Sequence, residues 1–338
     1  MSAKAFITGI TGMVGSHLLD FLLENTEWEI HGLIRWRSPI DNISHHVKKI
    51  NSKNRIHLHY GDITDYLSLV PIFKSRSFDY VFHLAAQSYP KTSFDSPSST
   101  YETNVLGTEN VLKCCKEYSP NSTIHNCSSS EVFGRVPKHL VPITEDTPFH
   151  PASPYAISKC SADLIGRFYA EAYNLRVLTT RMFTHTGPRR GDVFMESTFA
   201  KQIALIEADY LEPIVKTGNL DSIRTIADVR DAVRAYYLLV TNDSIPSGSV
   251  FNIGGSHTCT VREILEKLIS ISKNKDISHE IDPDRIRPID ADLQIPDIKK
   301  FKSMTNWEPE ISFEKTMFDL LDYWRGRVRK FGNCFLQR

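Results

Sequence analysis

The 338-residue chain is 41% hydrophobic and 24% charged, ordinary soluble composition with length for one large domain or two that share an interface. Its 40 Lys and Arg balance 40 Asp and Glu, which argues against nucleic acid or a membrane surface as the main partner. The six cysteines show no CxxC spacing, no apolar run reaches the roughly 20 residues of a membrane span, and MSAKAFITG lacks the regions of a signal peptide, so a cytoplasmic protein without structural disulfides or a metal is expected.

In chain order, Lys4–Thr8 reads as a strand, Val14–Glu24 as an amphipathic helix, and Glu29–Ile34 and Arg55–Tyr60 as strands. Leu67–Phe73 reads as helical, Tyr80–Leu84 as a fourth strand, Ser98–Glu117 as a long helix, and Ser122–Cys127 as a strand. This alternation predicts βαβ units and a doubly wound parallel α/β sheet covered on both faces. After about Thr184 the pattern changes. A Gly-, Pro- and Arg-rich segment is followed by a helix (Ser197–Ala208), a strand (Pro213–Thr217) and a helix (Val229–Val240). Ser249–Gly254 reads as a strand rejoining the main sheet. The tail carries a helix (Val261–Ser272), a polar loop (Asp282–Asp297) and a last helix (Ser312–Arg329). The expected organisation is a dinucleotide domain over 1–183, rejoined by parts of 218–256, and a smaller, interleaved substrate lobe over 184–338, with a ligand cleft between them.

Thr8-Gly-Ile-Thr-Gly-Met-Val-Gly15 sets glycines between the first strand and the first helix. The turn must be tight, a pyrophosphate must reach the backbone, and the helix must pack on the strand, the demands of a Rossmann dinucleotide site. Gly9, Thr11, Gly12, Met13, Val14 and Gly15 are the expected cradle, with Leu84, Ala85 and Ala86 after the fourth strand. The second strand ends in Arg35-Trp36-Arg37, without the acid that binds a ribose 2′-hydroxyl, which favours NADP with Arg35 and Arg37 on its 2′-phosphate. Asp62 and Ile63 after the third strand fit the adenine edge, although Asp62 reads equally well as a turn residue.

Tyr155 and Lys159 stand four apart, on one face of a helix. A neighbouring ammonium favours the phenolate of a group whose free pKa is about 10, so the pair makes a base. One segment earlier, Cys127-Ser-Ser-Ser-Glu-Val-Phe-Gly134 puts a carboxylate beside three hydroxyls at a strand end. Glu131 there is either a solvated loop acid or a base for a carbon acid, and Ser128 most simply satisfies local backbone.

Together TGxxGxxG, Gly61-Asp62, HLAAQS (83–88), TNVLGT (103–108), SSSEVFG and SPYAISK resemble the extended short-chain dehydrogenase/reductase family of nucleotide-sugar enzymes over nearly the whole chain. IHGLIRWRS, LHYGDITD, AAQSYPKTSF, HTGPRRG and GNLDSIR bring the resemblance closest to the GDP-mannose 4,6-dehydratase group. That resemblance implies a GDP-sugar substrate, NADP retained through the cycle, and a homodimer or homotetramer. It implies that Tyr155 takes the sugar O4 proton, that Ser129 bonds O4 and Tyr155, that Ser130 assists near C6, and that Glu131 takes the C5 proton. It places Arg189 and Arg190 in a loop that binds NADP across a subunit interface, Gln87 and Ser88 at the sugar, and Asn104 as support for the active-site helix.

In the second lobe, Arg224 and Arg287 suit a diphosphate, and Asn219 and Asp290 suit ribose or base. The chain departs from the group's pattern at Thr184 (usually Asn), at Thr225 (often Asp) and at Ser129 (usually Thr). Thr184 alters a sugar or phosphate contact and keeps a GDP-manno-heptose open beside GDP-mannose. A GDP-4-keto-6-deoxymannose reductase resembles the same motifs, and a C4 epimerase or oxidase would use the same Tyr–Lys pair. A non-enzymatic NADP sensor is the reading from another class, and the intact Tyr155–Lys159 pair speaks against it.

Overall fold

The computed structural model describes residues 2–52, 55–286, 291–332 and 334. Its elements run β1 (Lys4–Thr8), α1 (Met13–Asn25), β2 (Glu29–Ile34), β3 (Ile56–Tyr60), α2 (Tyr66–Lys74), β4 (Tyr80–His83), α3 (Pro90–Asp95), α4 (Pro97–Tyr101), α5 (Gly107–Tyr118), β5 (Thr123–Cys127), α6 (Pro154–Tyr173) and β6 (Arg176–Met182). They continue with β7 (His185–Thr186), α7 (Met195–Ile206), β8 (Ile214–Thr217), β9 (Ile223–Asp228), α8 (Val229–Thr241), β10 (Val250–Ile253), β11 (His257–Thr260), α9 (Val261–Ser270), β12 (Ser278–Ile281), β13 (Leu293–Gln294), α10 (Lys299–Thr305) and α11 (Phe313–Phe331).

The main sheet has the order β10-β6-β5-β4-β1-β2-β3 with every pairing parallel. Ala5, Phe6 and Ile7 on β1 are all fully buried, so successive side chains meet cover on opposite faces. One face packs Leu18, Leu19 and Leu22 of α1 with Ala232, Tyr236 and Leu239 of α8. The other packs Leu69 and Phe73 of α2, Val111 and Leu112 of α5, and Tyr169 of α6. Chain order reverses between β1 and β4, which opens a crevice beyond the carboxyl ends of the strands.

The second lobe is a small sheet, β11-β9-β13 with β7 also on β9, and a β12–β8 pair. Its core joins Phe199 and Ile203 of α7, Ile264 and Leu268 of α9, and Leu320 and Trp324 of α11. The chain returns to the main sheet through β10, which pairs with β6 as the sequence suggests. Within 218–256, α8 and β10 belong to the main sheet's layers, whereas β9 belongs to the second sheet. All six cysteines are free thiols, and no helix among the described residues is long and apolar enough to cross a membrane.

The structure adds elements that the sequence reading does not contain, among them β6, β9, β11, β13 and α10. The long helix expected over Ser98–Glu117 is broken by a π-helical turn, Glu102–Leu106, between α4 and α5. Strand β6 sets buried polar Thr179, Thr180 and Arg181 among buried Val177, Leu178 and Met182. Each polar residue has a partner: His125 Nε2 meets Thr180 Oγ1 at 2.8 Å, Asn126 Nδ2 donates to Thr179 Oγ1 at 3.4 Å, and Arg181 forks onto Asp163.

Asp228, at the end of β9, holds the lobe junction. Its buried carboxylate accepts from Arg230 N at 2.8 Å, from Arg230 Nε at 2.8 Å and Nη2 at 2.7 Å, and from Thr316 Oγ1 of α11 at 2.8 Å. Asp228→Asn replaces an acceptor-only group by one that also donates. It is expected to cost about 2 kcal/mol, read as a lower urea-unfolding midpoint with an unchanged slope.

Candidate active site

The glycine turn is fixed by contact. Gly9 has φ +74°, and a Cβ there would lie 2.9 Å from Ala85 N. A Cβ on Gly15 would lie 2.3 Å from Gly9 O. Gly12 N donates to Gly9 O at 3.0 Å, and Gly12 is the N-cap of α1. That helix start has no side-chain cap and no acid in its first turn, so its N–H groups and positive dipole end are open to an anion.

A directed hydrogen-bond column ties this turn to the catalytic helix. Thr8 Oγ1 accepts from Leu84 N and Ala85 N, both at 3.1 Å, so its own hydrogen goes to His83 Nδ1 at 3.0 Å. His83 Nε2–H then donates to Thr108 Oγ1 at 3.0 Å, and Thr108 Oγ1 donates to Asn104 O at 2.6 Å. Burial, then Lys159, pushes the His83 pKa down to about 3, so the ring is neutral. In the π turn, Asn104 Oδ1 accepts from Gln87 N at 2.8 Å, while Nδ2 donates to Gln87 O and to Ser158 Oγ on α6, both at 2.9 Å. Asn104 thus braces the active-site helix directly.

Helix α6 starts at Pro154 with Ser153 as N-cap, accepting from Ala156 N at 3.0 Å. That start places Tyr155 and Lys159 one turn apart, 8% and 7% exposed. After β5, Ser129 caps the short turn Ser130–Phe133 by accepting from Glu131 N at 3.2 Å. Burial raises the Tyr155 pKa above its ordinary value, and the neighbouring Ser129 hydroxyl is the foremost pull downward, with Arg190 the cation that adds to it. The sequence assigns that pull to Lys159. In the structure the Lys159 amine instead donates to the Cys127 carbonyl, and burial lowers its pKa. Ser128 Oγ donates to the Lys159 carbonyl at 3.4 Å, so its hydroxyl satisfies backbone as expected.

These groups share one cavity of about 1620 Å³. Gly9, Thr11, Gly12, Met13, Val14, Gly15, Arg35, Asp62, Ile63, Leu84, Ala85 and Ala86 line it, as do Ser88, Ser129, Ser130, Glu131, Tyr155, Lys159, Thr184, Arg189, Arg190, Asn219 and Arg224. Asp62 lines the cavity and is also a turn residue, since Oδ1 accepts from Thr64 N and Oγ1, each at 3.0 Å. Arg224 Nη1 donates to Ile223 O at 3.0 Å and Ala291 O at 2.6 Å. Asn219 spends Oδ1 on Asp221 N and Nδ2 on Ser222 Oγ, both at 3.0 Å.

Two expected residues lie outside the cavity wall. Arg37 stacks its guanidinium 4.2 Å above the exposed Trp36 ring. Gln87 spends both amide hydrogens on Tyr89 O at 3.1 Å and Thr100 Oγ1 at 3.2 Å, and its Oε1 takes Tyr89 N at 2.6 Å, so it is a brace and not a sugar contact. Arg287 and Asp290 lie outside the described residues.

Both loop arginines line the chain's own cavity. Arg189, at φ +68°, pairs with Asp20 on α1 at 2.7 Å, and Arg190 lies 3.5 Å over the Phe194 ring. Arg189 Nη1 and Arg190 Nε are buried without hydrogen-bond partners, cationic N–H groups suited to phosphate oxygens. This cradle of close backbone, open helix start and unspent cations fits a dinucleotide.

The sequence reading missed other wall residues. Asn42 Nδ2 donates to Thr11 O at 2.9 Å, fastening the segment after β2 onto the glycine turn. His185, pushed down to about 4 by burial and then Arg190, and Lys201, paired with Asp192 at 3.1 Å, also line the cavity. Asn42 and Lys201 carry no local motif. His185 opens the HTGPRRG segment that also holds Arg189 and Arg190.

The sequence model of GDP-mannose 4,6 dehydratase matches residues 6–320. The Drosophila melanogaster GDP-mannose 4,6 dehydratase is 34% identical over 94% of this chain and 85% of its own. The Yersinia enterocolitica GDP-mannose 4,6-dehydratase is 31% identical over 94% and 92%. Among solved structures, RMD from Pseudomonas aeruginosa complexed with NADPH superposes with a TM-score of 0.82 at 28% identity, covering 97% of this chain and 100% of that one.

A methyl group on Gly15 has only backbone to displace. Gly15→Ala is expected to weaken binding of a reduced nicotinamide dinucleotide, followed by its fluorescence, by about tenfold or more, equivalent to ~1.4 kcal/mol. Gly326→Ala on α11, where a Cβ meets nothing within 4 Å, should leave it unchanged.

Proposed function

The chain belongs to the GDP-mannose 4,6-dehydratase family, and from that membership we propose that it removes water from a GDP-mannose-type sugar to give the 4-keto-6-deoxy sugar nucleotide, with NADP as its cofactor. The observation that carries the reading is the meeting of Ser129, Glu131, Tyr155 and Lys159 on the wall of the cavity that also contains the dinucleotide cradle. When bound, NADP⁺ supplies a temporary store for the hydride taken from sugar C4 and returned at C6.

The chain's own groups move protons. Tyr155 takes the O4 proton, and Ser129, whose hydroxyl favours the phenolate, positions O4. The resulting 4-ketone acidifies the C5 hydrogen. Glu131, half-buried on the turn that Ser129 caps, takes that proton, and Ser130 orients the C6 hydroxyl. Of the two protons removed, one leaves with the C6 hydroxyl as water and one returns to C5. Arg190 is the cation that favours the phenolate, while the Lys159 amine holds the Cys127 carbonyl at the end of β5. Arg35 is the exposed cation at the end of β2, where no acid stands against a 2′-phosphate.

Purified protein incubated with GDP-mannose, and separately with a GDP-manno-heptose, is expected to release one water from at least one of them with no net change in NADPH. In heavy water the product should carry deuterium at C5. Glu131→Gln should lower kcat by ~10²–10⁴-fold. No water loss from either sugar, or NADPH consumed against a 4-keto-6-deoxy substrate, would overturn the dehydratase reading.

Cofactor choice has its own test. Arg35→Ala should weaken NADPH binding by ~1.5–3 kcal/mol, the worth of a charge-assisted hydrogen bond, with little effect on NADH. Arg37→Ala should leave both affinities near those of the unaltered chain.

A further inference from the structure

Away from the cavity, two strands carry an unusual set of side chains. Glu29 and His31 stand two apart on β2, and His57 and His59 stand two apart on β3. The parallel register sets His31 opposite His57 and Leu33 opposite His59. A strand's period of two therefore puts all four on one face of the sheet. There the His31 ring meets Phe78 edge-on at 5.3 Å and stacks on His57 at 4.8 Å. None of the four lines the large cavity.

The hydrogen bonds leave one nitrogen of His31 unengaged. His59 Nε2 lies 3.0 Å from Arg76 Nη1 and 3.0 Å from His31 Nδ1. In the tautomer with the hydrogen on His31 Nδ1, that nitrogen donates to His59 and His31 Nε2 presents a lone pair. It is buried without a hydrogen-bond partner, in a residue only 4% exposed, and it faces the Glu29 carboxylate at 3.7 Å. A ligand atom from each of Glu29, His31 and His57 lies within 4.8 Å of the others.

We propose that Glu29, His31 and His57 form a site for a divalent transition-metal cation of the zinc type. Two imidazoles and a carboxylate are a zinc donor set with one position left for water. The His31 Nδ1–H bond to His59, itself held by Arg76, is the outer hydrogen bond that orients a metal-bound imidazole. Glu29 and His57 are half-buried, so both can turn inward to close the donors around an ion that enters from solvent. The bound cation would staple the edge strand β3 to β2. A second group, Asp20 with His45 and His46, is spent differently: Asp20 Oδ1 already meets His45 Nε2 at 2.9 Å and His46 Nε2 at 2.6 Å, and Oδ2 takes Arg189. The expectation of no metal rested on cysteine spacing, which is blind to ligands paired across strands.

The test is zinc chloride titrated calorimetrically into the full chain after stripping with chelator, with thermal melting alongside. A single equivalent is expected to bind and to raise the melting temperature. The combined Glu29→Gln, His57→Ala variant should lose that equivalent, and His59→Phe should weaken it by about 10–100-fold. His45→Ala with His46→Ala should keep it. Cobalt(II) on the unaltered chain gives a readout that needs no variant: visible bands of a four-coordinate nitrogen–oxygen site in place of the aqua-ion spectrum. No zinc-induced heat or melting shift, binding that survives loss of Glu29 and His57, or binding lost with His45 and His46 would each overturn the proposal.

Discussion

The bond that the rest of the site depends on is the hydroxyl of Thr8 accepting from the backbone of Leu84 and Ala85. It draws the exit of β4 against the exit of β1, so Gly9 sits where any Cβ would strike Ala85 N. Because both acceptor positions of that hydroxyl are filled, its hydrogen has one destination, His83 Nδ1. The direction then propagates without choice through Thr108 and Asn104 to Ser158 on the helix that carries Tyr155 and Lys159. A neutral histidine in the middle is essential to this logic. A protonated ring would have two donors and reverse the first bond. The cradle for the pyrophosphate and the helix for proton transfer are therefore positioned by one chain of neutral hydrogen bonds. A π turn supplies the extra backbone residue that lets Asn104 reach two elements.

Charge in the cavity follows a different rule. Lys159 and Arg190 both lose basicity to burial, and Arg190 keeps a buried Nε without a partner. Such cations are costly in an empty protein and suited to a ligand that brings phosphates. Tyr155 is the mirror case. Burial outweighs Ser129 and Arg190, so its phenol stays protonated at neutral pH in the chain alone. The structure thus keeps its base in reserve, and removal of the O4 proton is coupled to what the ligands bring. That Lys159 spends its amine on the Cys127 carbonyl fits this division: it anchors the end of β5 from the helix, and Ser129 is the group that most favours the phenolate.

What the sequence disclosed was local. The glycine spacing, the Tyr155–Lys159 interval and the serine–glutamate run each depend on residues within one turn, and the cavity gathers all of them. What it hid needed partners from elsewhere. Strand β6, absent from the sequence reading, buries Arg181 and two threonines on partners in α6 and β5. Asn104 is expected as a brace, whereas the bracing bonds of Gln87 appear only in the fold. Arg35 and Arg37 look like a pair, and the stack on Trp36 separates them. The His31 cluster was quoted as strand sequence, and its chemistry appears only when the register of β2 on β3 is known.

The departures from the family's pattern separate on the same grounds. Thr225 stands where an aspartate is often found, but its hydroxyl meets Thr258 Oγ1 across the β9–β11 pair at 2.8 Å, and it does not line the cavity. Its loss of charge is absorbed by a cross-strand bond of the second sheet. Ser129 keeps the hydroxyl that the phenol needs. Thr184 is different. Its backbone carbonyl is fixed by Ala227 N at 2.9 Å, which holds β7 against β9, and its side chain faces the cavity beside His185 and Arg190. A threonine there is shorter than the usual asparagine and has neither the amide donor nor its reach. Of the three changed positions, Thr184 and Ser129 line the cavity, and Thr184 is the one whose side chain changes in both reach and hydrogen-bonding groups.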